Sequence, residues 1–140
     1  MLSLSHWDLE EALKNNESVA KPADLGTWGN QDSWQKVYTA LGMAMPVRRV
    51  RLTVSNQLSL PYFNAGFVAT KKPQTLSSEW SRVACLLNAA EINLENKYPW
   101  LDQISLPLAM QKVGSWSPLS EFFNYPAHIR PLAEQPVGMC

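Results

Sequence analysis

Two polar residues open an otherwise apolar stretch in the last third of the chain. Asp102 and Gln103 directly precede the segment 104–109, which is apolar on nearly every helical face and predicts a buried helix. A polar pair at the start of such a helix must be hydrogen-bonded. In one interpretation Asp102 is the N-cap, and its carboxylate accepts hydrogen bonds from the first free backbone amides of the helix. The other places both side chains at the mouth of a pocket.

A second polar side chain stands beside a predicted buried strand. Asn64 precedes the uncharged run Gly66–Ala69, which Pro61 and Lys71 bound. An amide presents both donors and an acceptor to a polar ligand, and a glycine permits close approach. In the alternative interpretation, Asn64 bonds its own backbone in a turn that leads into the strand.

Three further features could either bind a ligand or serve the structure alone. Thr27 and Trp28 lie between two glycines and form either a ligand-facing turn or a packed loop plugged by Trp28. Arg49 and Arg51 alternate with apolar residues and either hold an anion or line a solvated strand face. The six tryptophans are predicted to be mostly core or half-core residues.

The elements that would position these residues predict a mixed α/β fold that is rich in helix. Apolar spacing predicts four helices, at His6–Leu13, at Gln31–Met43 with a cap from Asn30 or Asp32, at Thr75–Ile92 with a cap from Thr75 or Ser77, and from about Pro99 onward. Besides the run at Gly66–Ala69, strands are predicted at Arg48–Val54, Leu58–Leu60 and Leu119–Tyr125. The segment 14–30 is polar, holds Pro22 and two glycines, and predicts a loop.

Composition limits the function classes. The chain has 140 residues, of which 46% are hydrophobic and 17% charged, so we expect one globular domain over 1–140. Twelve basic and twelve acidic residues cancel without a basic stripe, which argues against nucleic-acid binding. No apolar stretch reaches membrane-spanning length, and no secretory leader is visible, so a cytoplasmic location is expected. Two cysteines indicate no disulfide framework, and Cys85 is predicted to be a small core residue.

Several common catalytic signatures are missing from the sequence. It has no glycine-rich phosphate loop and no Gly-x-Ser-x-Gly motif. Its aspartates are Asp8, Asp24, Asp32 and Asp102, and none form the Asp-x-Asp pair that holds a cation on a diphosphate. No second histidine or cysteine accompanies His128 at a metal-site spacing.

Three segments in order resemble a known family. They are Tyr62-Phe63-Asn64-Ala65-Gly66-Phe67-Val68, Trp100-Leu101-Asp102-Gln103-Ile104-Ser105-Leu106 and Phe123-Asn124-Tyr125-Pro126. Over residues 48–130 this resembles the C-terminal half of GT-A-fold nucleotide-sugar glycosyltransferases of the glycogenin-like and bacterial galactosyltransferase-like group. The resemblance implies part of the nucleotide-diphospho-sugar transferase fold, with a small mixed sheet flanked by helices.

The resemblance also implies roles for the matching positions. Asp102 and Gln103 would be catalytic and line the donor-sugar side. Substrate would contact the second set of positions, namely Tyr62, Asn64, Ala65, Gly66 and Asn124. A divalent cation, manganese or magnesium, is implied as cofactor. His128 is the candidate ligand, although its Pro-Ala-His-Ile-Arg context differs from the family's usual one. The implied partners are a nucleotide-sugar donor and a carbohydrate or other acceptor.

The sequence departs from that family at its N-terminal side. The expected nucleotide-binding half, which ends in Asp-x-Asp, does not precede Asn64, and residues 1–47 are predicted as a helix-loop-helix lead-in to the core at 48–130. The chain is therefore expected to be incomplete as a stand-alone transferase and to self-associate through exposed apolar surface. The alternative is a non-catalytic carbohydrate- or protein-binding α/β module, with Trp28, Trp100 and Asn64 forming its site.

Overall fold

The computed structural model describes residues 6–89 and 94–119. This part of the chain is a mixed α/β fold, as predicted. Its helices are α1 (His6–Leu13), α2 (Gln31–Ala40), α3 (Pro73–Asn88) and α4 (Leu101–Val113). Its strands are β1 (Ser18–Pro22), β2 (Val50–Arg51), β3 (Leu58–Ser59), β4 (Phe63–Thr70) and β5 (Trp116–Pro118). A mixed sheet has the order β4-β1-β5, and β2 and β3 form a separate hairpin.

The central strand β1 lies inside the segment predicted to be a loop, so that prediction is wrong over Ser18–Pro22. β1 pairs antiparallel with β4 and parallel with β5, and all five of its residues are buried. The register shifts between Ala20 and Pro22, so the proline follows an irregularity and is not inside the regular ladder. The sheet therefore joins the predicted lead-in to the predicted core.

The strand β4 is longer and less buried than predicted. It runs from Phe63 to Thr70, and after Phe63 its residues are half-buried or exposed. The strand predicted over Arg48–Val54 is also shorter in the structure, because only Val50–Arg51 pairs with Leu58–Ser59. The chain after it is instead held by backbone bonds to the two residues that follow β1, in which the Thr53 amide donates to the Ala23 carbonyl and the Val54 amide donates to the Asp24 carbonyl.

The helices follow the apolar spacing more closely than they follow the predicted caps. Asn30 caps α2, and its side chain accepts from the Ser33 amide at 2.9 Å. α3 begins at Pro73 and has no side-chain cap, so the cap predicted at Thr75 or Ser77 is wrong. Cys85 is exposed on α3, which corrects the prediction of a core cysteine.

The core is built around aromatic side chains. Trp34 stacks edge-on with Trp28 at 5.1 Å and with Tyr62 at 5.8 Å between ring centroids. The five tryptophans whose side chains are described are buried or half-buried, as predicted. α4 packs against both α3 and β4, and residues 104–110 of α4 are all buried. This packing fixes the first turn of α4 beside β4.

Candidate functional site

The first turn of α4, the start of β4 and the chain after β1 surround a pocket of about 450 Å³, which we call the Gln103 pocket. Its volume falls in the range of about 300–1,000 Å³ that ligand sites usually have. The residues that line it are Ala23, Asp24, Leu25, Thr27, Asn64, Trp100 and Gln103. The structure thus brings together Asn64 and Gln103, which the sequence separates by a helix and a loop.

Asn64 combines both roles that the sequence left open. Its Oδ1 accepts a hydrogen bond from the Gly66 amide at 2.9 Å, which is the predicted bond to its own backbone. The same side chain lines the Gln103 pocket. Because the bond to Gly66 uses one lone pair of Oδ1, Asn64 could bind a ligand through its two Nδ2 hydrogens and through the second lone pair of Oδ1.

Asp24 supplies a carboxylate to the pocket, and two neighbours hold it. The Lys21 ammonium donates to Asp24 Oδ1 in a buried ion pair, and Thr53 Oγ1 donates to the same oxygen at 2.5 Å. Lys21 is fully buried and Asp24 is 6% exposed. The pair is charge-balanced, so the pocket wall carries an oriented carboxylate without net charge.

Tyr62 lies beneath the pocket and not on its surface. It is buried, and its hydroxyl shares a 2.6 Å hydrogen bond with Thr27, which does line the pocket. Burial raises the pKa of Tyr62 to about 12, the Thr27 bond opposes this shift, and the nearby Asp102 charge adds to it. Tyr62 is therefore a neutral support for Thr27. Ala65 is half-buried and Gly66 is exposed along β4.

Asp102 faces a different depression from Gln103. The N-cap of α4 is Trp100, which makes no side-chain capping bond, so Asp102 is not the N-cap, although its carboxylate does bond a free amide of the first turn as that interpretation predicted. Asp102 instead lies in the first turn, where its Oδ1 accepts from the Gln103 amide at 2.8 Å. It lines a second pocket of about 400 Å³, which we call the Asp102 pocket, together with Trp80, Ser81, Ala84, Pro99 and Leu101.

The remaining candidates have structural partners in the described residues. Arg49 donates to the Pro46 carbonyl at 2.6 Å, and Arg51 donates to the Asn56 carbonyl at 2.7 Å. Both arginines are exposed, as expected of a solvated strand face. Trp28 is buried and donates to the Glu95 carbonyl at 3.0 Å, as a residue that plugs its loop would, while Thr27 lines the Gln103 pocket.

Two predicted site residues, Asn124 and His128, lie outside the described residues. Within residues 6–89 and 94–119, no group of three or more histidine, cysteine, aspartate or glutamate side chains could hold a metal ion. Asp24 is also already engaged by Lys21 and Thr53. The described residues of the Gln103 pocket therefore do not fit a divalent cation, and we assign no step to one.

Comparison with known proteins identifies the family. The profile of the Rhodobacterales glycosyltransferase domain matches residues 1–114, and the chain belongs to that family. Family membership implies a sugar donor and an acceptor as substrates. The match includes residues 1–47, so the segment predicted as a lead-in is part of the family domain. No curated protein and no solved structure matches the chain. Among the described helices, none has the length and apolar character needed to cross a membrane.

Sequence reasoning missed part of this site. The sequence pattern does not single out Lys21, and Asp24 stands out only as one of the aspartates that form no Asp-x-Asp pair. A lysine and a proline in a polar segment do not indicate a buried central strand. The available signal was the short apolar pair Val19-Ala20, which is too brief to separate a strand from a loop.

Proposed function

We propose that this protein transfers a sugar from a nucleotide-diphospho-sugar donor and that the Gln103 pocket binds the sugar unit of that donor. The observation that carries the proposal is the meeting of Asn64 and Gln103 in one pocket with the half-buried indole of Trp100. Carbohydrates present apolar C–H faces and many hydroxyls. An aromatic ring with amides, a hydroxyl and a carboxylate around it matches both.

The charge of the pocket favours the sugar over the diphosphate. No cationic side chain is among the described residues that line it, and the nearby Lys21 is neutralised by Asp24. A diphosphate needs several charge-assisted donors, whereas a neutral sugar ring needs neutral hydrogen-bond partners. We therefore place the diphosphate outside this pocket. The GT-A fold and a cation at His128 remain proposals from the resemblance.

The reaction itself follows from the donor chemistry. The acceptor hydroxyl oxygen forms a bond to the anomeric carbon, and the bond from that carbon to the diphosphate oxygen breaks. The nucleoside diphosphate leaves with the bonding electron pair, and the hydroxyl proton passes to a base or to water. Amide donors such as Asn64 Nδ2 hold the sugar in position during this exchange.

The test measures binding and turnover of UDP-glucose, UDP-galactose and GDP-mannose, with and without manganese. Thermal shift reports binding, and released nucleoside diphosphate reports turnover. We expect Asn64→Ala and Gln103→Ala each to weaken binding by about fivefold, as loss of one hydrogen bond of about 1 kcal/mol requires. The matched controls Asn88→Ala and Gln74→Ala change exposed side chains on α3 and should bind like the wild type. A variant pair that binds every donor as tightly as the controls would contradict the proposal.

The alternative of a non-catalytic carbohydrate-binding module has one observation in its favour, because the described pocket lining holds sugar-compatible groups without a diphosphate site. The two functions differ in turnover. Binding of free methyl glycosides without release of nucleoside diphosphate from any donor would favour the module.

A further inference from the structure

The first turn of α4 separates two pockets, and only one of them is used by the proposed donor sugar. Gln103 lines one pocket and Asp102 lines the other. Trp100 also lines the first pocket, whereas Pro99 and Leu101 line the second, so both pockets border the same first turn of α4. We propose that the Asp102 pocket binds the acceptor saccharide. This inference rests on the proposed function, because an acceptor site must adjoin the donor sugar.

The lining of the Asp102 pocket suits a carbohydrate. Trp80, Ser81 and Ala84 occupy one face of α3 at helical spacing, and Pro99 and Leu101 form the opposite wall. The indole and the apolar residues can take the C–H face of a sugar ring, while Ser81 and Asp102 can bind its hydroxyls. Asp102 is exposed, and its described hydrogen bond uses Oδ1 only, so Oδ2 can accept from an acceptor hydroxyl.

Hydrogen bonds to α4 fix the indole of Trp80 in the protein without a ligand. Its Nε1 donates to the Asp102 carbonyl and to Ser105 Oγ, each at 3.0 Å. Ser105 Oγ in turn donates to the Leu101 carbonyl at 2.7 Å. A ring fixed to the neighbouring helix loses little conformational entropy on binding, which favours recognition by stacking. The same bonds tie the acceptor pocket to the turn that carries Gln103.

A direct binding experiment tests the pocket without requiring catalysis. Protein labelled with ¹⁵N at the indole nitrogens would be titrated with the methyl glycosides of glucose, galactose, mannose and N-acetylglucosamine. We expect at least one glycoside to shift the Trp80 indole resonance in the wild type. Ser81→Phe fills the pocket from an exposed position and should abolish that shift, whereas Ser78→Phe, on the same helix but outside the pocket lining, should preserve it. If no glycoside shifts the Trp80 resonance, or if Ser81→Phe leaves the shift intact, the inference is overturned.

A kinetic experiment separates this inference from the proposed function. Ser81→Phe should raise the acceptor KM by roughly tenfold or more and leave donor binding and donor hydrolysis unchanged, because it blocks a pocket that is distinct from the donor-sugar pocket. Asp102→Asn can keep the Oδ1 bond to the Gln103 amide but replaces Oδ2 by an NH2 group, which cannot accept from a hydroxyl, so it should raise the acceptor KM by roughly fivefold, as loss of one hydrogen bond of about 1 kcal/mol requires. An unchanged acceptor KM in both variants overturns the inference alone. If the wild type neither binds nor turns over any of the donors, the proposed function is overturned. The glycoside titration still tests whether the Asp102 pocket binds a saccharide.

Discussion

The Lys21 ammonium and the Asp24 carboxylate form an ion pair inside the protein, beside the Gln103 pocket. The lysine belongs to the central strand, and the aspartate follows it by three residues. Taking both charges out of water is costly, and only close pairing with further hydrogen bonds offsets that cost. Thr53 supplies one such bond, so the hairpin segment and the pocket wall depend on the same carboxylate.

The ion pair predicts a strong coupling between its two residues. Removing one partner of a buried pair typically costs about 3–5 kcal/mol, because the other charge remains buried without compensation. We therefore expect Lys21→Met and Asp24→Asn each to lower the free energy of unfolding severely. The double variant should cost clearly less than their sum. Urea unfolding of the four proteins measures this cycle, and additive costs would show that the pair is not coupled.

Two buried tyrosines predict a loss of stability at alkaline pH. Burial raises the pKa of Tyr38 and of Tyr62 to about 12, above the value of 10.0 that an unfolded chain has. The unfolded state therefore loses these protons first. Each protonated tyrosine contributes at most about 3 kcal/mol to the free energy of unfolding. This contribution is complete below about pH 10 and is lost as the pH rises through 12. Unfolding free energies measured across this range should fall less steeply in Tyr62→Phe than in the wild type, and equal slopes would contradict the assignment.

The backbone conformation and surroundings of Gly114 predict that any side chain at this position destabilises the fold. Gly114 ends α4 with φ of +152°, and a Cβ there would lie 2.7 Å from Glu17 Cγ. We expect Gly114→Ala to lower the unfolding free energy by about 1–3 kcal/mol, because the backbone conformation and the contact are both unfavourable. Gly26→Ala is the matched control, since its Cβ would meet Leu52 at an ordinary 3.6 Å. Thermal unfolding of both variants gives the comparison, and similar midpoints would refute the strain at Gly114.

The position of Trp100 predicts that its ring contributes to the affinity of the Gln103 pocket for sugars. Its half-buried ring lines that pocket, so Trp100→Ala should weaken binding of the nucleotide-diphospho-sugar by roughly tenfold or more. Trp100→Phe keeps an aromatic face and should recover part of the affinity. Tyr98→Ala removes an aromatic ring that is 61% exposed and outside the described pocket lining, so it should bind donor normally. Calorimetric titration provides the affinities, and equal losses in Trp100→Ala and Tyr98→Ala would argue against a stacking role.

The sequence predicted the parts of this fold that repeat a local pattern. The apolar spacing located α1 and α2 and the buried α4, and the alternation at Val50 located the hairpin. It also nominated Asn64 and Gln103, which the structure places on one pocket. The predictions of helices and strands depend on side chains that face a core at regular intervals, whereas Asn64 and Gln103 stand out as polar residues beside apolar segments, and their roles stay predictions.

The failures arise where distant contacts override local preference. β1 contains a lysine whose charge is compensated by Asp24, and a proline that follows a register shift, and neither compensation is visible in five residues of sequence. The divergence of Asp102 from Gln103 depends on the rotation of α4 against α3 and β4. Packing decides that rotation, because α4 is apolar on almost every face and has no amphipathic stripe to fix it.

The position of β1 between β4 and β5 has a consequence for synthesis of the protein. Ser18 pairs with Trp116, almost the whole described length of the chain away, and with Thr70 on its other side. During synthesis on the ribosome, the edge of β1 that pairs with β5 stays unpaired until residues 116–118 have emerged. Closing so long a loop is entropically costly and slows folding. Until β5 emerges, the unpaired edge of β1 is a site where another chain could pair and start aggregation.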